Sequence, residues 1–110
     1  MNAPQIEFVN HASLIVANDN IKLIMDPWLD GDAFNNGWRQ ISKTKLKYGD
    51  FKSITHIWFS HEHPDHFSPK NIFSIPVEIR NEITVLFQTT VDRKVFEFCS
   101  KVGFKEVIEL

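Results

Sequence analysis

The sequence predicts an α/β domain built on a mixed β-sheet, with helices packed against one face. Three observations predict this fold class. Short β-rich runs separated by turn residues open the chain, a nearly continuous apolar run follows, and a strand, a helix and a strand succeed one another at the carboxyl end. The opening runs form a meander, whereas a strand, helix, strand order indicates parallel pairing with a crossover helix on one face.

The meander is predicted from three short strands. Ile6–Val9 and Ser13–Val16 are β-rich, and the turn residues ANDN at 17–20 lead into a third run, IKLIM, at 21–25. Asp26-Pro27 then ends the third strand, because the residue before a proline favours a turn or an extended conformation.

The sequence pattern in the middle of the chain predicts a buried strand followed by a short helix. Ile54–Phe59 is almost continuously apolar, as expected of a strand covered on both faces. Ser68 is a suitable N-cap with Pro69 at the first helical position, so a short helix is predicted through residues 71–73. Residues 83–87 predict another strand.

The carboxyl end predicts a helix and a final strand. Thr90 caps the helix and Gly103 ends it in the left-handed conformation, while Val107–Leu110 forms the strand. A parallel pair with one crossover needs further strands on its outer side, so we expect residues 1–110 to be part of a larger domain. The apolar residues of the helix recur at spacings of four, three and four, at Val91, Val95, Phe98 and Val102.

Composition excludes several classes of partner. The net charge is −2 and no basic run is present, so the sequence predicts no nucleic-acid or anionic membrane surface. No apolar segment approaches the roughly 20 residues that span a bilayer, and the first residues lack a signal-peptide pattern, so a cytoplasmic location is expected. The single Cys99 cannot form an internal disulfide and is expected to be a small buried hydrophobe.

The segment SHEHPDHFSP at 60–69 concentrates metal-seeking side chains, including three of the five histidines of the chain. In an extended segment, residues two apart project to the same side, so His61 and His63 can meet at one point. Pro64 bends the path, and Asp65 and His66 can then reach a second point. Imidazole and carboxylate ligands together favour zinc, iron or manganese over calcium or magnesium.

The order of these residues resembles a known signature. HEHPDH at His61–His66 fits the HxHxDH motif of the metallo-β-lactamase superfamily, directly after an apolar strand. NHASLIV at 10–16 resembles the branch that includes ascorbate-6-phosphate lactonase-like proteins, and DPWLDGDAFNNGW at 26–38 resembles the metallo-hydrolase-like domain of CMP-N-acetylneuraminate hydroxylases. The resemblance implies a metallo-β-lactamase-like αββα sandwich, of which residues 1–110 supply the amino-terminal half.

The resemblance also implies roles for the cluster. His61 and His63 would bind a first divalent ion, and Asp65 and His66 would bind a second. Zinc is the expected metal, with iron or manganese as alternatives. Asp65 would also take a proton during the reaction. Asp26 would orient a ligand imidazole from behind the cluster, although an ordinary Asp-Pro turn is the alternative for this residue.

Other residues are assigned less specific roles. His11 would line the active-site face, or else be a half-buried structural histidine. Trp28, Phe34 and Trp38 would line a pocket for a small-molecule substrate, or equally pack beneath a long loop. His56 is expected to be structural because it precedes the buried strand.

The function that the resemblance implies is metal-dependent hydrolysis of an ester, lactone or phosphodiester, in which two ions lower the pKa of a water and polarise the substrate. No histidine follows His66, whereas the superfamily takes further ligands from downstream, so this chain alone is expected to be inactive. An iron-dependent hydroxylase-type domain and a non-catalytic binding or assembly module are the alternatives. We also expect self-association, or pairing with a missing carboxyl-terminal half.

Overall fold

The computed structural model describes residues 4–10, 13–27, 46–60, 69–88 and 93–110. Within these ranges the chain forms a six-stranded sheet whose strands lie side by side in sequence order. The first three strands pair antiparallel and the last four pair parallel, which confirms the predicted mixed sheet. The strands are β1 (Gln5–Asn10), β2 (Ser13–Asn18), β3 (Ile21–Met25), β4 (His56–Phe59), β5 (Thr84–Phe87) and β6 (Glu106–Glu109).

Four helical segments accompany the described part of the sheet. They are a 3₁₀ helix (Tyr48–Ser53), α1 (Pro69–Ser74), α2 (Val77–Arg80) and α3 (Lys94–Lys101). The sequence analysis predicted α1 and α3 but neither the 3₁₀ helix nor α2, both of which are too short for a helical period to be recognised. Among the described residues, none of the helices has the length and apolar character needed to cross a membrane.

The two faces of the sheet differ in their surroundings. One face, here called the covered face, packs against the helices, and its central side chains are buried: Ile15, Ile24, Ile57, Phe59, Val85 and Phe87. The helical layer contributes buried partners to the same core, among them Phe51, Ile72, Val95 and Cys99. Alternation along each strand directs the intervening side chains to the opposite face, here called the outer face.

The expectation that the middle strand is covered on both faces is wrong for the described structure. Along β4, Ile57 and Phe59 are buried, but His56 and Trp58 on the outer face are only half-buried. The strand also begins at His56, two residues later than predicted, since Ile54 ends the 3₁₀ helix and its N–H bonds to the carbonyl of Phe51.

The predicted limits of the last helix need a correction at its start. Arg93 has a left-handed backbone with φ of 54° and precedes the first helical residue, Lys94, so the helix does not run through position 93. The guanidinium of Arg93 pairs with Glu109 of β6 and stacks over the ring of Phe96. Thr90, the predicted cap, lies outside the described residues. The predicted end is confirmed, because Gly103 adopts φ of 92°.

Candidate functional site

The candidate site lies at one edge of the sheet. Strands β3, β4 and β5 are parallel neighbours, so their carboxyl ends meet at the same edge. The residues that follow these three ends are Asp26, Ser60 and Gln88. Ligand sites in sheets of parallel strands are typically found outside such carboxyl ends. The metal-seeking segment continues directly from Ser60 in the sequence, so this edge is the candidate site.

Asp26 binds Ser60 through both carboxylate oxygens. The backbone N–H of Ser60 donates to Oδ1 at 2.6 Å and its hydroxyl donates to Oδ2 at 2.6 Å. Asp26 is 2% exposed and Ser60 is half-buried, so both hydrogen bonds are partly buried. Hydrogen bonds to an ionised acceptor are stronger than neutral ones. Asp26 therefore fixes the position of the residue that immediately precedes His61.

The backbone of Asp26 is held in an uncommon conformation. Its φ is 47°, in the left-handed region that aspartate tolerates better than most residues, and it precedes Pro27. Strain of this kind costs about 1–3 kcal/mol and persists only where surrounding contacts impose it. Here the N–H of Asp26 donates to the carbonyl of Trp58 at 2.8 Å, and the hydroxyl of the buried Ser13 donates to the carbonyl of Asp26.

Gln88 contacts the same serine from the other side. Its side-chain amide donates to the carbonyl of Ser60 at 3.1 Å. Ser60 is thus bound by the residue that follows β3 and by the residue that follows β5. The sequence analysis did not single out Ser60 or Gln88. A signal was available, because each comes directly after a β-rich run whose carboxyl end was expected at this edge.

Among the predicted site residues, Asp26 is the one that lies within the described part of the structure. Its predicted contact with a ligand imidazole stays a prediction, because the imidazoles of the cluster are outside the described residues. In the described ranges, no three histidine, cysteine, aspartate or glutamate side chains converge to form a metal site. The remaining predicted site residues, all outside those ranges, are His11, Trp28, Phe34, Trp38, His61, His63, Asp65 and His66.

Two further residues with reactive side chains lie away from this edge. His56 is half-buried at the amino end of β4, and its Nδ1 lies 2.7 Å from the hydroxyl of Thr55, in agreement with a structural role. Cys99 is fully buried on the inner side of α3, and desolvation raises the pKa of its thiol to about 12. A thiol of that pKa stays protonated at neutral pH and supplies neither a nucleophile nor a metal ligand.

A cleft of about 440 Å³ lies between the first three strands and the segment 46–54, which includes the 3₁₀ helix. Its lining includes Lys22, Asp50 and Lys52 together with Glu7 and Ile15. Lys22 belongs to the amino end of β3, whereas Asp26 follows its carboxyl end. The two residues are four positions apart, which is roughly 13 Å along an extended strand, so this cleft is separate from the site at Asp26.

Comparison with known proteins identifies one matching family and several proteins that are similar to this chain. The model of a family described as "Beta-lactamase superfamily domain" matches residues 5–106. A curated relative, cytidine monophosphate-N-acetylneuraminic acid hydroxylase of Xenopus laevis, is 29% identical over 102 residues, which cover 92% of this chain and 17% of the relative.

Solved structures share the fold. A possible metal-dependent hydrolase from Veillonella parvula matches with a TM-score of 0.69 and 24% identity over 94% of this chain and 40% of its own. An isothiocyanate hydrolase from Delia radicum gut bacteria matches with a TM-score of 0.69 and 18% identity. The match covers 96% of this chain and 41% of the hydrolase. The diiron β-hydroxylase CmlA from Streptomyces venezuelae matches with a TM-score of 0.64 and 20% identity. The match covers 97% of this chain and 20% of the hydroxylase. The chain spans less than half the length of each of these relatives.

Proposed function

The chain belongs to the beta-lactamase superfamily domain family, and on that premise we propose that it carries the first ligand segment of a metal-dependent hydrolase site. The substrate would be a small molecule with an ester, lactone or phosphodiester bond. Named relatives support this class of activity, since two of the similar structures are described as a possible metal-dependent hydrolase and an isothiocyanate hydrolase.

The observation that carries the proposal is the pair of hydrogen bonds between Asp26 and Ser60. A segment that binds metal through several side chains needs a fixed backbone at its start, because each ligand must reach its ion within a few tenths of an ångström. The buried Asp26 provides such a fixed point at the carboxyl edge of the sheet. The left-handed backbone of Asp26 costs conformational free energy, which an ordinary surface turn does not require.

The donor set fits a transition metal. Three imidazoles and the carboxylate of Asp65, all within residues 61–66, match the ligands that zinc, iron and manganese accept. We assign His61 and His63 to one ion and Asp65 and His66 to another. When bound, such ions lower the pKa of a water molecule and polarise the bond under attack. Asp65 would hold the proton released in the reaction, and Asp26 would keep the segment in register through Ser60.

Trp28, Phe34 and Trp38 would border the substrate, where indole and phenyl rings exclude water and select for shape. His11 would lie on the same side of the sheet. Since no histidine follows His66 in this sequence, each ion would have two ligands from this chain and open positions besides. Weak metal affinity and no turnover by the 110-residue chain alone are therefore expected. The cytoplasmic location also stays a prediction.

A second candidate is an iron-dependent hydroxylase-type domain. It is favoured by the names of two relatives, the sialic acid hydroxylase of Xenopus laevis and the diiron β-hydroxylase CmlA. Selective retention of iron over zinc, with oxygen consumption in the presence of an electron donor, would support it. The third interpretation, a binding or assembly module that has lost its site, requires a folded protein that takes up no metal.

Metal binding by titration calorimetry and elemental analysis tests the proposal. The chain is loaded with zinc, iron or manganese and compared with a His61→Ala, His63→Ala variant, with His56→Ala as the matched histidine control. We expect the double variant to lose the bound metal and the His56 variant to keep it. Equal metal content in the double variant and the unmodified chain would refute the ligand assignment.

A further inference from the structure

A buried asparagine lies near the start of the helix that follows the metal-seeking segment. Asn71 is the third residue of α1, which begins at Pro69, and it is 3% exposed. The hydroxyl of Tyr48, the first residue of the 3₁₀ helix, donates to Oδ1 of Asn71 at 2.8 Å. A buried amide oxygen is costly to leave without a donor. This hydrogen bond therefore holds the first turn of α1 against the 3₁₀ helix.

Apolar contacts hold both partners of this hydrogen bond in place. Ile72, the neighbour of Asn71, is buried in the core of the covered face. The ring of Tyr48 stacks on the ring of the buried Phe51, with 6.4 Å between the ring centroids. Because the core is closely packed, neither partner can shift without a change in the packing around it.

The same hydrogen bond lies beside the turn that holds Ser60. Tyr48 and Asn71 line one small pocket together with Pro27. Pro27 directly follows Asp26, whose carboxylate accepts both hydrogen bonds from Ser60. The turn after β3, the 3₁₀ helix and α1 therefore meet at one place.

The two sets of hydrogen bonds flank the metal-seeking segment in the sequence. Ser60 directly precedes His61, and Asn71 follows His66 by five positions. A segment that is fixed at both ends samples fewer conformations than a segment fixed at one end. Its ligands then lose less conformational entropy when an ion binds, which raises the affinity. Asp26 by itself would fix only the beginning of the segment.

We propose that Tyr48 and Asn71 are positioning residues for the metal-seeking segment, and that their hydrogen bond fixes its carboxyl-terminal end as Asp26 fixes its beginning. This role rests on the proposed function, in which residues 61–66 supply the metal ligands. Neither Tyr48 nor Asn71 binds an ion, because both act through the backbone of α1. The 3₁₀ helix acquires a purpose, since it presents the Tyr48 hydroxyl to Asn71.

Amide hydrogen exchange of the metal-free chain, followed by mass spectrometry of peptides that cover residues 60–70, tests the positioning. Tyr48→Phe removes only the hydroxyl, and exchange within the segment should become about fivefold faster. The control is Ile83→Val, a fully buried position at the amino end of β5 where the loss of global stability should be comparable. Unchanged exchange in Tyr48→Phe, or an equal increase in the control, overturns the proposal.

Zinc titration by calorimetry tests the consequence for metal binding. Tyr48→Phe should raise the zinc dissociation constant about tenfold, and Ile83→Val should leave it unchanged. Asn71→Leu, which replaces the amide with an apolar group of similar size, should have the same effect as Tyr48→Phe. The double variant should be no worse than either single variant, because all three lose one shared hydrogen bond. Additive effects on the dissociation constant would overturn the proposal.

The two measurements also separate this role from the proposed function. Faster exchange in Tyr48→Phe, in a chain that takes up no zinc, iron or manganese, would refute the metal site and support the hydrogen bond as the anchor of the segment. Metal uptake by the unmodified chain with the same dissociation constant in Tyr48→Phe would support the metal site and refute the positioning role.

Discussion

The carboxylate of Asp26, which follows β3, accepts hydrogen bonds from both the backbone N–H and the hydroxyl of Ser60, which follows β4, each at 2.6 Å. The two residues are 34 positions apart in the chain and meet because β3 and β4 are parallel neighbours. This pair links the turn after the meander to the first residue of the metal-seeking segment.

Replacement of Asp26 by asparagine should destabilise the protein. The amide can accept from only one of the two Ser60 donors and brings an N–H₂ group toward the other, so the free energy of unfolding should fall by about 2 kcal/mol. Urea denaturation followed by circular dichroism measures the change. Asp19→Asn is the matched control, since Asp19 also has a left-handed backbone, with φ of 52°, but is exposed. An equal effect of the two substitutions would contradict the role given to the Asp26 carboxylate.

Metal affinity should respond to the same substitution if the histidine segment binds metal. Asp26→Asn loosens the residue before His61, so the metal dissociation constant should rise by about tenfold or more, as is typical when a residue that supports metal ligands is lost. Calorimetry on the folded variant, at a temperature well below its melting point, separates this effect from unfolding. An unchanged dissociation constant would mean that the Ser60 contact has no influence on the ligand segment.

The two faces of the sheet should respond differently to truncation. Phe87 is 2% exposed on the covered face, so Phe87→Ala should lower the free energy of unfolding by about 3–5 kcal/mol through lost burial and a cavity. Phe8→Ala on the outer face should cost less than about 1 kcal/mol in dilute, monomeric protein. Equilibrium denaturation of the two variants side by side provides the comparison. A large loss for Phe8→Ala at high dilution would show that the first strand packs against part of the same chain.

Gly103 should tolerate no side chain. Its φ is 92°, and a Cβ there would lie 3.2 Å from Cγ2 of Val77, so Gly103→Ala should cost about 1–2 kcal/mol. Gly49→Ala is the control, because a Cβ at Gly49 has no neighbouring atom within 4 Å and the backbone needs no positive φ. Thermal unfolding of both variants measures the difference. Equal melting temperatures would exclude the left-handed helix end.

The thiol of Cys99 should make stability fall at alkaline pH. Burial raises its pKa from the ordinary 9.0 to about 12, so the unfolded chain releases this proton near pH 9 while the folded chain retains it. The stability linked to this group is complete below pH 9 and is lost as the pH rises from 9 toward 12. Denaturation at pH 8 and pH 10 should show a smaller decline for Cys99→Ala than for the unmodified chain. Labelling of the native thiol at pH 8 as rapid as in urea would contradict its burial.

Local patterns along the chain were sufficient for several features. The short β-rich runs, the order of strand, helix and strand, and the alternation of apolar residues predicted a mixed sheet with a helical layer, and the structure confirms it. The left-handed Gly103 and the buried Cys99 were also predictable, because the helical spacing of the apolar residues indicates which side of the helix is buried and where the helix ends. The start of α3 was not, since Arg93 is held by Glu109 of a different strand.

For the candidate site, too, some features could be predicted from the sequence and others depended on the tertiary structure. By itself, the sequence determined that metal-seeking residues are concentrated in positions 61–66 and that they follow an apolar strand, because both properties are local. Only the tertiary structure decided that Asp26, Ser60 and Gln88 meet, and that the described helices pack against one particular face of the sheet. Those relationships depend on which strands become neighbours and in which register, and hydrogen bonding between distant segments sets that register rather than any pattern within one of them.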